Sequence, residues 1–180
     1  MRIISGSAKG KKLITPDGLD VRPTIDRVKE AVFSSLQFDI EGRTILDLFA
    51  GSGQLGLEAL SRNAKCCYFV DGSKKSIDVI NENINNCGFE ENSFVNFCDS
   101  FDFLDKTDKK FNIAFLDPPY NKGLIDKAMP KLVSKMSDFG VIVCEHSENY
   151  VLKESYGDFK KEKTKRYGIV YITYYRRTGE

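Results

Sequence analysis

The segment Asp117-Pro-Pro-Tyr120 sets a carboxylate, two prolines and an aromatic ring directly after the apolar run Phe111–Leu116. Pro118 and Pro119 forbid helix and ladder hydrogen bonds, so the loop holds one extended shape and fixes a carboxylate and a carbonyl in space. Such a pair of acceptors suits the exocyclic amino group of a nucleobase, a poor nucleophile because its lone pair is delocalised into the ring. Accepting the two N–H bonds at Asp117 and at the Pro118 carbonyl draws the nitrogen toward tetrahedral geometry and frees the lone pair for attack. Tyr120 is placed to stack on the base, which has to leave its helix to reach the site. The scheme requires no unusual proton on Asp117.

A second constellation precedes it. Gly51-Ser-Gly53-Gln-Leu-Gly56 follows the run Thr44–Phe49 and matches a spacing in which missing Cβ atoms let a ligand approach backbone N–H groups at a helix N-terminus. Phe49, Ala50 and Ser52 belong to the same turn. Asp71, twenty residues beyond Gly51, is suited to accept hydrogen bonds from two ribose hydroxyls. Asp47, just ahead of the glycines, would face a pyrophosphate unfavourably but pairs with an amino-acid ammonium group. S-adenosylmethionine carries such an ammonium, a ribose diol and no phosphate.

These residues need a scaffold that brings strand ends together. Apolar runs at Thr44–Phe49, Cys66–Val70, Phe94–Cys98, Phe111–Leu116 and Gly140–Glu145 alternate with helical periodicity, the pattern of a parallel sheet covered on both faces. Their polar endings, Asp47, Asp71, Asp99-Ser100, Asp117 and Glu145-His146, are expected along one edge, with the first and fourth strands as neighbours at the point of reversal. Phe159–Arg166 and Ile169–Arg176 have no room for a helix between them and must pair antiparallel. Ahead of the sheet, Arg2–Ser5 and Lys11–Thr15 read as a small hairpin. Thr24 offers a cap to a helix with a stripe of Ile25, Val28, Val32 and Leu36, which leaves Arg27, Lys29 and Glu30 outward and ends by Gly42. The tyrosines Tyr167, Tyr171, Tyr174 and Tyr175 read as half-buried sheet residues. The expectation is one α/β domain of 180 residues, with residues 1–38 as a hairpin-and-helix extension to a core of residues 39–180.

Composition excludes several classes. Apolar residues make up 41% and charged residues 29%, with 19 Gly and Pro together, unlike a disordered, collagen-like or repeat-built chain. The apolar runs fall far short of the ~20 residues that cross a bilayer, and the start MRIISGSAKGKK offers no signal-peptide region. A cytoplasmic protein is expected. Five cysteines without C-x-x-C spacing and a lone His146 argue against a zinc site or a disulfide framework. Charge is uneven: residues 1–30 carry +3 and residues 160–177 carry +6, around an acidic middle. Lys9, Lys11, Lys12, Arg22 and Arg27 at one end, and Lys160, Lys161, Lys163 and Lys165 at the other, are the candidates for neutralising RNA phosphates.

The chain resembles the bacterial 16S rRNA guanine-N2 methyltransferases of the small ribosomal subunit. The resemblance rests on Arg2-Ile-Ile-Ser-Gly6 with Lys11-Lys12-Leu13, on Arg22-Pro-Thr-Ile-Asp-Arg-Val-Lys-Glu30 with Phe33, on Asp47-Leu-Phe-Ala-Gly-Ser-Gly53, on Leu57-Glu-Ala-Leu-Ser-Arg62, and on Asp117-Pro-Pro-Tyr120. It implies a Rossmann-like S-adenosylmethionine-dependent methyltransferase fold with seven strands. It also implies that Asp47, Gly51, Gly53 and Asp71 hold the cofactor, that Asp99 and Ser100 approach its adenine, and that Arg22 and Thr24 lie over the entrance. The partner implied is 16S rRNA in the small subunit or an assembly intermediate, met by a monomer. One departure is visible: members commonly show Glu-x-Asp after the second strand, and this chain has Asp71-Gly-Ser73.

Three other readings share some of these residues. A DNA adenine-N6 or cytosine-N4 methyltransferase shares the Asp-Pro-Pro-Tyr chemistry but normally needs a separate target-reading region. A nicotinamide oxidoreductase shares only the glycine turn. A non-catalytic RNA-binding assembly factor would keep the fold without turnover.

Overall fold

The structure is a computed structural model that describes residues 1–16, 23–119 and 122–177. Helix α1 (Pro23–Ser35) leads into an alternation of β1 (Thr44–Leu48), α2 (Gln54–Ser61), β2 (Cys66–Asp71), α3 (Lys74–Cys87), β3 (Ser93–Phe97), α4 (Ser100–Lys106), β4 (Phe111–Leu116), α5 (Leu124–Leu132) and β5 (Met136–Ser147). Then come β6 (Ser155–Tyr156), β7 (Phe159–Tyr167) and β8 (Val170–Arg177). All eight strands form one sheet in the order β3-β2-β1-β4-β5-β8-β7-β6. The first five are parallel, and β8, β7 and β6 continue antiparallel from β5. This is the Rossmann-like methyltransferase arrangement, with one strand more than the seven expected because the two-residue β6 adds to the edge.

β1 lies between β2 and β4, which makes the β1–β4 boundary the reversal point. Side chains alternate across the sheet. Ile45, Ile113, Phe115, Val141 and Val143 pack on the α1–α2–α3 side, and Leu46, Leu48, Ala114, Leu116 and Ile142 on the α4–α5 side. By the same parity Asp47, Asp117 and Glu145 belong to the first side, at the carboxyl ends of three adjacent strands. Tyr174 and Tyr175 are wholly buried rather than half-buried, because β8 is an interior strand between β5 and β7.

The expected N-terminal hairpin is short: Arg2 bridges Lys12 antiparallel, Ile3 N–H donates to the Lys11 carbonyl at 2.9 Å, and Leu13 N–H donates to the Met1 carbonyl at 3.1 Å. The segment also bonds to α2. Ile4 and Ser5 N–H donate to the Glu58 carboxylate at 2.8 and 3.0 Å, Ala8 N–H donates to Ser61 Oγ at 3.0 Å, and Ser7 N–H to the Ser61 carbonyl at 2.8 Å. Gly6, at φ 85°, makes this approach possible: a Cβ there would lie 1.6 Å from the Ser61 carbonyl oxygen.

Helix α1 starts at Pro23, one residue before the expected cap, where a proline's missing N–H is harmless. It ends at Ser35, and Gly42, at φ 71°, belongs to the turn before β1. Lys29, expected outward, is buried at 2% exposure. The N-terminal segment covers it: Nζ donates to the Arg2 carbonyl and pairs with Glu58 at 3.6 Å.

Candidate active site

β1 ends in Asp47-Leu48, and Phe49, at φ 68°, turns the chain out of the sheet. Gly51 and Gly53, at φ 58° and 76°, complete the turn into α2, a conformation that disfavours side chains. Two carboxylates brace it. Asp71 Oδ2 accepts the Gly51 N–H at 2.9 Å, and Asp47 Oδ2 accepts the Gly56 N–H at 2.9 Å. Asp71 Oδ1 also accepts the Ser73 N–H at 2.8 Å where α3 begins. Gly56 lets α2 sit down on β2, since a Cβ there would be 2.3 Å from the Phe69 ring.

A cleft of about 810 Å³ opens at these strand ends, within the size range of small-molecule sites. Asp47, Phe49, Ala50, Gly51, Ser52 and Asp71 line it from the cofactor side of the prediction, and Asp117, Pro118 and Pro119 from the catalytic side. Residues seventy apart in sequence thus meet because β1 and β4 are neighbours, with Asp47 paired to Phe115. Helix α1 contributes Val28, Lys29 and Val32, and the N-terminal segment contributes Met1, Thr15 and Pro16.

Electrostatics mark the same place. Asp47 is 2% exposed. Burial pushes its carboxyl up to about 7, with the Asp71 charge adding to the rise and the Gly56 N–H opposing it. Asp117 is raised well above the ordinary carboxylate range, by burial first and then by repulsion from Glu145 and Asp47. It differs in this from the ordinary carboxylate the sequence suggests. Burial lowers the Lys29 ammonium, against the attraction of Glu58 and Asp26.

Other expected residues sit elsewhere. Gly53 does not line the cleft; its space is limited internally, with a Cβ 3.2 Å from the Phe69 ring. Asp99 and Ser100 are also absent from the lining; Asp99 Oδ1 caps α4 by accepting the Phe101 and Asp102 N–H groups at 2.8 and 3.2 Å, and Ser100 is buried. Arg22, the Thr24 side chain and Tyr120 lie outside the described residues.

Of the basic candidates, Lys9, Lys12, Arg27 and Lys160 are exposed, and Lys165 is exposed but donates to Ser35 Oγ at 3.2 Å. Lys11 is exposed too but donates to the Asn86 carbonyl at 2.5 Å. Lys161 donates to the Leu152 carbonyl at 3.0 Å, and the Lys163 ammonium lies 4.8 Å from the centre of the Tyr174 ring.

Sequence reasoning missed two buried polar anchors. Asn83 Nδ2 donates to the Ile14 and Ser52 carbonyls at 2.9 and 3.0 Å while Oδ1 accepts the Ile14 N–H at 2.8 Å, tying the N-terminal segment to the glycine turn. Glu58, fully buried, holds Ile4, Ser5, Lys29 and Arg62. A signal existed for both: a polar residue inside the stripe Ile77, Ile80, Ile84, and a charge inside the apolar helix Leu57–Leu60, must have buried partners.

The family model described as Conserved hypothetical protein 95 matches residues 1–176. YlbH from Bacillus subtilis (strain 168) is 37% identical over 99% of this chain and 100% of its own length. Ribosomal RNA small subunit methyltransferase D from Escherichia coli (strain K12) is 32% identical over 100% of this chain and 91% of its own. The solved structure of yhhF from Escherichia coli superposes with a TM-score of 0.88 at 33% identity, covering 100% of this chain and 99% of that one. With the glycine turn and the double-proline loop on one cleft, these matches show that the chain belongs to the Conserved hypothetical protein 95 family.

Proposed function

We propose that this protein transfers a methyl group from S-adenosylmethionine to the exocyclic N2 of a guanine in 16S rRNA. The observation that carries this reading is the shared cleft, in which a rigid carboxylate at the end of β4 stands beside a glycine turn at the end of β1. The relatives named as small-subunit rRNA methyltransferases support the same substrate class.

The cleft suits the cofactor. Gly51 leaves open space where a Cβ would stand. Each Asp71 oxygen takes one backbone N–H and keeps a second lone pair for a ribose hydroxyl. Asp47, held near neutrality by burial, gains its full charge when an ammonium group arrives beside it. When bound, S-adenosylmethionine supplies a methyl group on a cationic sulfur, which leaves as a neutral thioether once a nitrogen lone pair has taken the methyl.

Asp117 and the Pro118 carbonyl accept the two N–H bonds of the amine and hold its lone pair toward that methyl. Because burial and repulsion make the Asp117 carboxylate more basic, it is suited to take the proton that the newly methylated, cationic nitrogen must lose. Tyr120 stacks on the extruded base, and Lys160 meets phosphates. We read the chain as one methyltransferase domain, a cytoplasmic monomer acting on the small subunit or an assembly intermediate.

The test is transfer of labelled methyl from S-adenosylmethionine to 30S particles lacking the modification, followed by nucleoside analysis. Labelled N2-methylguanosine in 16S rRNA is expected. Label in another nucleoside, or none, would refute the assignment.

A further inference from the structure

Three nucleobases carry an exocyclic amine, and they differ in the ring nitrogens beside it. Next to the amine, adenine N6 has N1, an acceptor, and cytosine N4 has N3, also an acceptor. Guanine N2 alone has an N–H donor, N1–H, as its neighbour. A second carboxylate beside the one that grips the amine would therefore sort guanine from the other two.

Glu145 stands in that position. β4 and β5 pair in parallel through Leu116 with Cys144, so Asp117 and Glu145 are the next residues on adjacent strands, which run ~4.8 Å apart. They share the parity of Phe115 and Val143, which pair one step earlier, and both line the cleft with Pro118 and Pro119. Glu145 is also fixed from its other side. The sequence ends the fifth strand at this residue, but β5 continues to Ser147, and Glu145 pairs with Ile172 of β8. Around it the cleft wall is apolar, with Phe115, Val143, Val170 and Ile172. In such surroundings a mismatched lone pair is costly and a matched N–H is strongly favoured.

We infer that Glu145 is the residue that selects guanine, accepting N1–H while Asp117 and the Pro118 carbonyl accept the N2 protons. This rests on the N2-methylation reading above and adds the substrate's second recognised atom. Adenine or cytosine in the same orientation turns a ring lone pair toward the Glu145 carboxylate and is repelled, so rejection and recognition come from one group. The repulsion between Asp117 and Glu145 agrees with the pairing, since two adjacent donors on one base relieve it.

The test uses 30S particles reconstituted with 16S rRNA bearing guanine or 2-aminopurine at the methylated position. 2-Aminopurine keeps the N2 amine but has a lone pair at N1. Wild-type protein should prefer guanine in kcat/KM by about 100-fold or more, as sites built around a buried hydrogen bond do. Glu145→Gln, whose amide offers either a carbonyl or an NH₂, should narrow that preference at least ~10-fold by raising the rate on 2-aminopurine. Glu145→Ala should narrow it by lowering the rate on guanine. S-adenosylhomocysteine binding reports that each variant is folded, and the wild-type preference needs no variant at all. Equal wild-type rates on the two bases, or an unaltered preference in Glu145→Gln, would overturn the inference while leaving N2-methylation standing. Absence of N2-methylguanosine from the wild-type reaction on guanine would instead remove the reading beneath it, and the inference with it.

Discussion

Replacing Asp47 by Asn should stabilise the empty protein and weaken cofactor binding at once. Asp47 is 2% exposed, and its carboxyl is pushed up to about 7 from an ordinary 3.8. Between those values the native chain holds a proton that the unfolded chain has released. The group's favourable contribution is therefore complete below about pH 4 and is lost as pH rises through about 7. At about 1.4 kcal/mol per pH unit, the gap sets an upper limit of ~4 kcal/mol. An Asn keeps the carbonyl that the Gly56 N–H needs and carries no charge. In urea unfolding, the stability of Asp47→Asn relative to wild type should rise by ~2–4 kcal/mol from pH 4 to pH 8. At pH 8 its S-adenosylmethionine affinity, read by calorimetry, should be about tenfold or more below wild type, because the ammonium has lost its counter-charge. A stability difference that is flat across pH would show that Asp47 carries no buried-charge penalty. An unchanged affinity would show that it does not meet the ammonium.

Asp117→Ala should slow single-turnover methyl transfer by ~10²–10³ while S-adenosylhomocysteine affinity stays near wild type; a normal rate would remove Asp117 from the chemistry. Because its carboxyl is raised, wild-type rates should fall on acidification at a pH above the ordinary carboxylate range, and a limb at pH 4 would contradict that. Neutralising Lys160 should reduce the salt slope of RNA binding by about 1. The same change at Lys161 and Lys163, which are occupied by a carbonyl and a ring, should leave the slope intact; equal effects would refute the distinction. Gly6→Ala should destabilise the fold by ~2 kcal/mol or more in denaturant titration, since its Cβ would stand 1.6 Å from the Ser61 oxygen. A change under ~0.5 kcal/mol would mean that the N-terminal segment is not clamped there.

The groups that follow a strand directly were legible in sequence. Asp47, Asp71, Asp117 and the glycines come at fixed points after apolar runs, and sheet topology does the rest. What failed depends on long-range packing. Lys29 lies on the outer face by helical spacing, yet the N-terminal segment closes over it, and that contact is made through Glu58, some thirty residues further along. Asp99 also caps the short helix α4 that starts beside it, a role that an acid following a strand does not announce. The N-terminal strands pair as their alternation suggests, but the bonds that Ile4, Ser5, Ser7 and Ala8 make to Glu58 and Ser61 of α2 come from no local pattern. β6 is two residues long and carries no periodic signal. Glu145 was visible as a strand ending, but its partnership with Asp117 needs the β4–β5 register, which no local pattern encodes.

The most direct measurement is a crystal structure of the protein with S-adenosylhomocysteine. The thioether sulfur should sit between the turn at Gly51 and the loop at Asp117-Pro118, with the amino-acid ammonium on Asp47 and the ribose hydroxyls on Asp71. A ligand held on another face, or with its sulfur turned away from the double-proline loop, would contradict methyl transfer at this cleft.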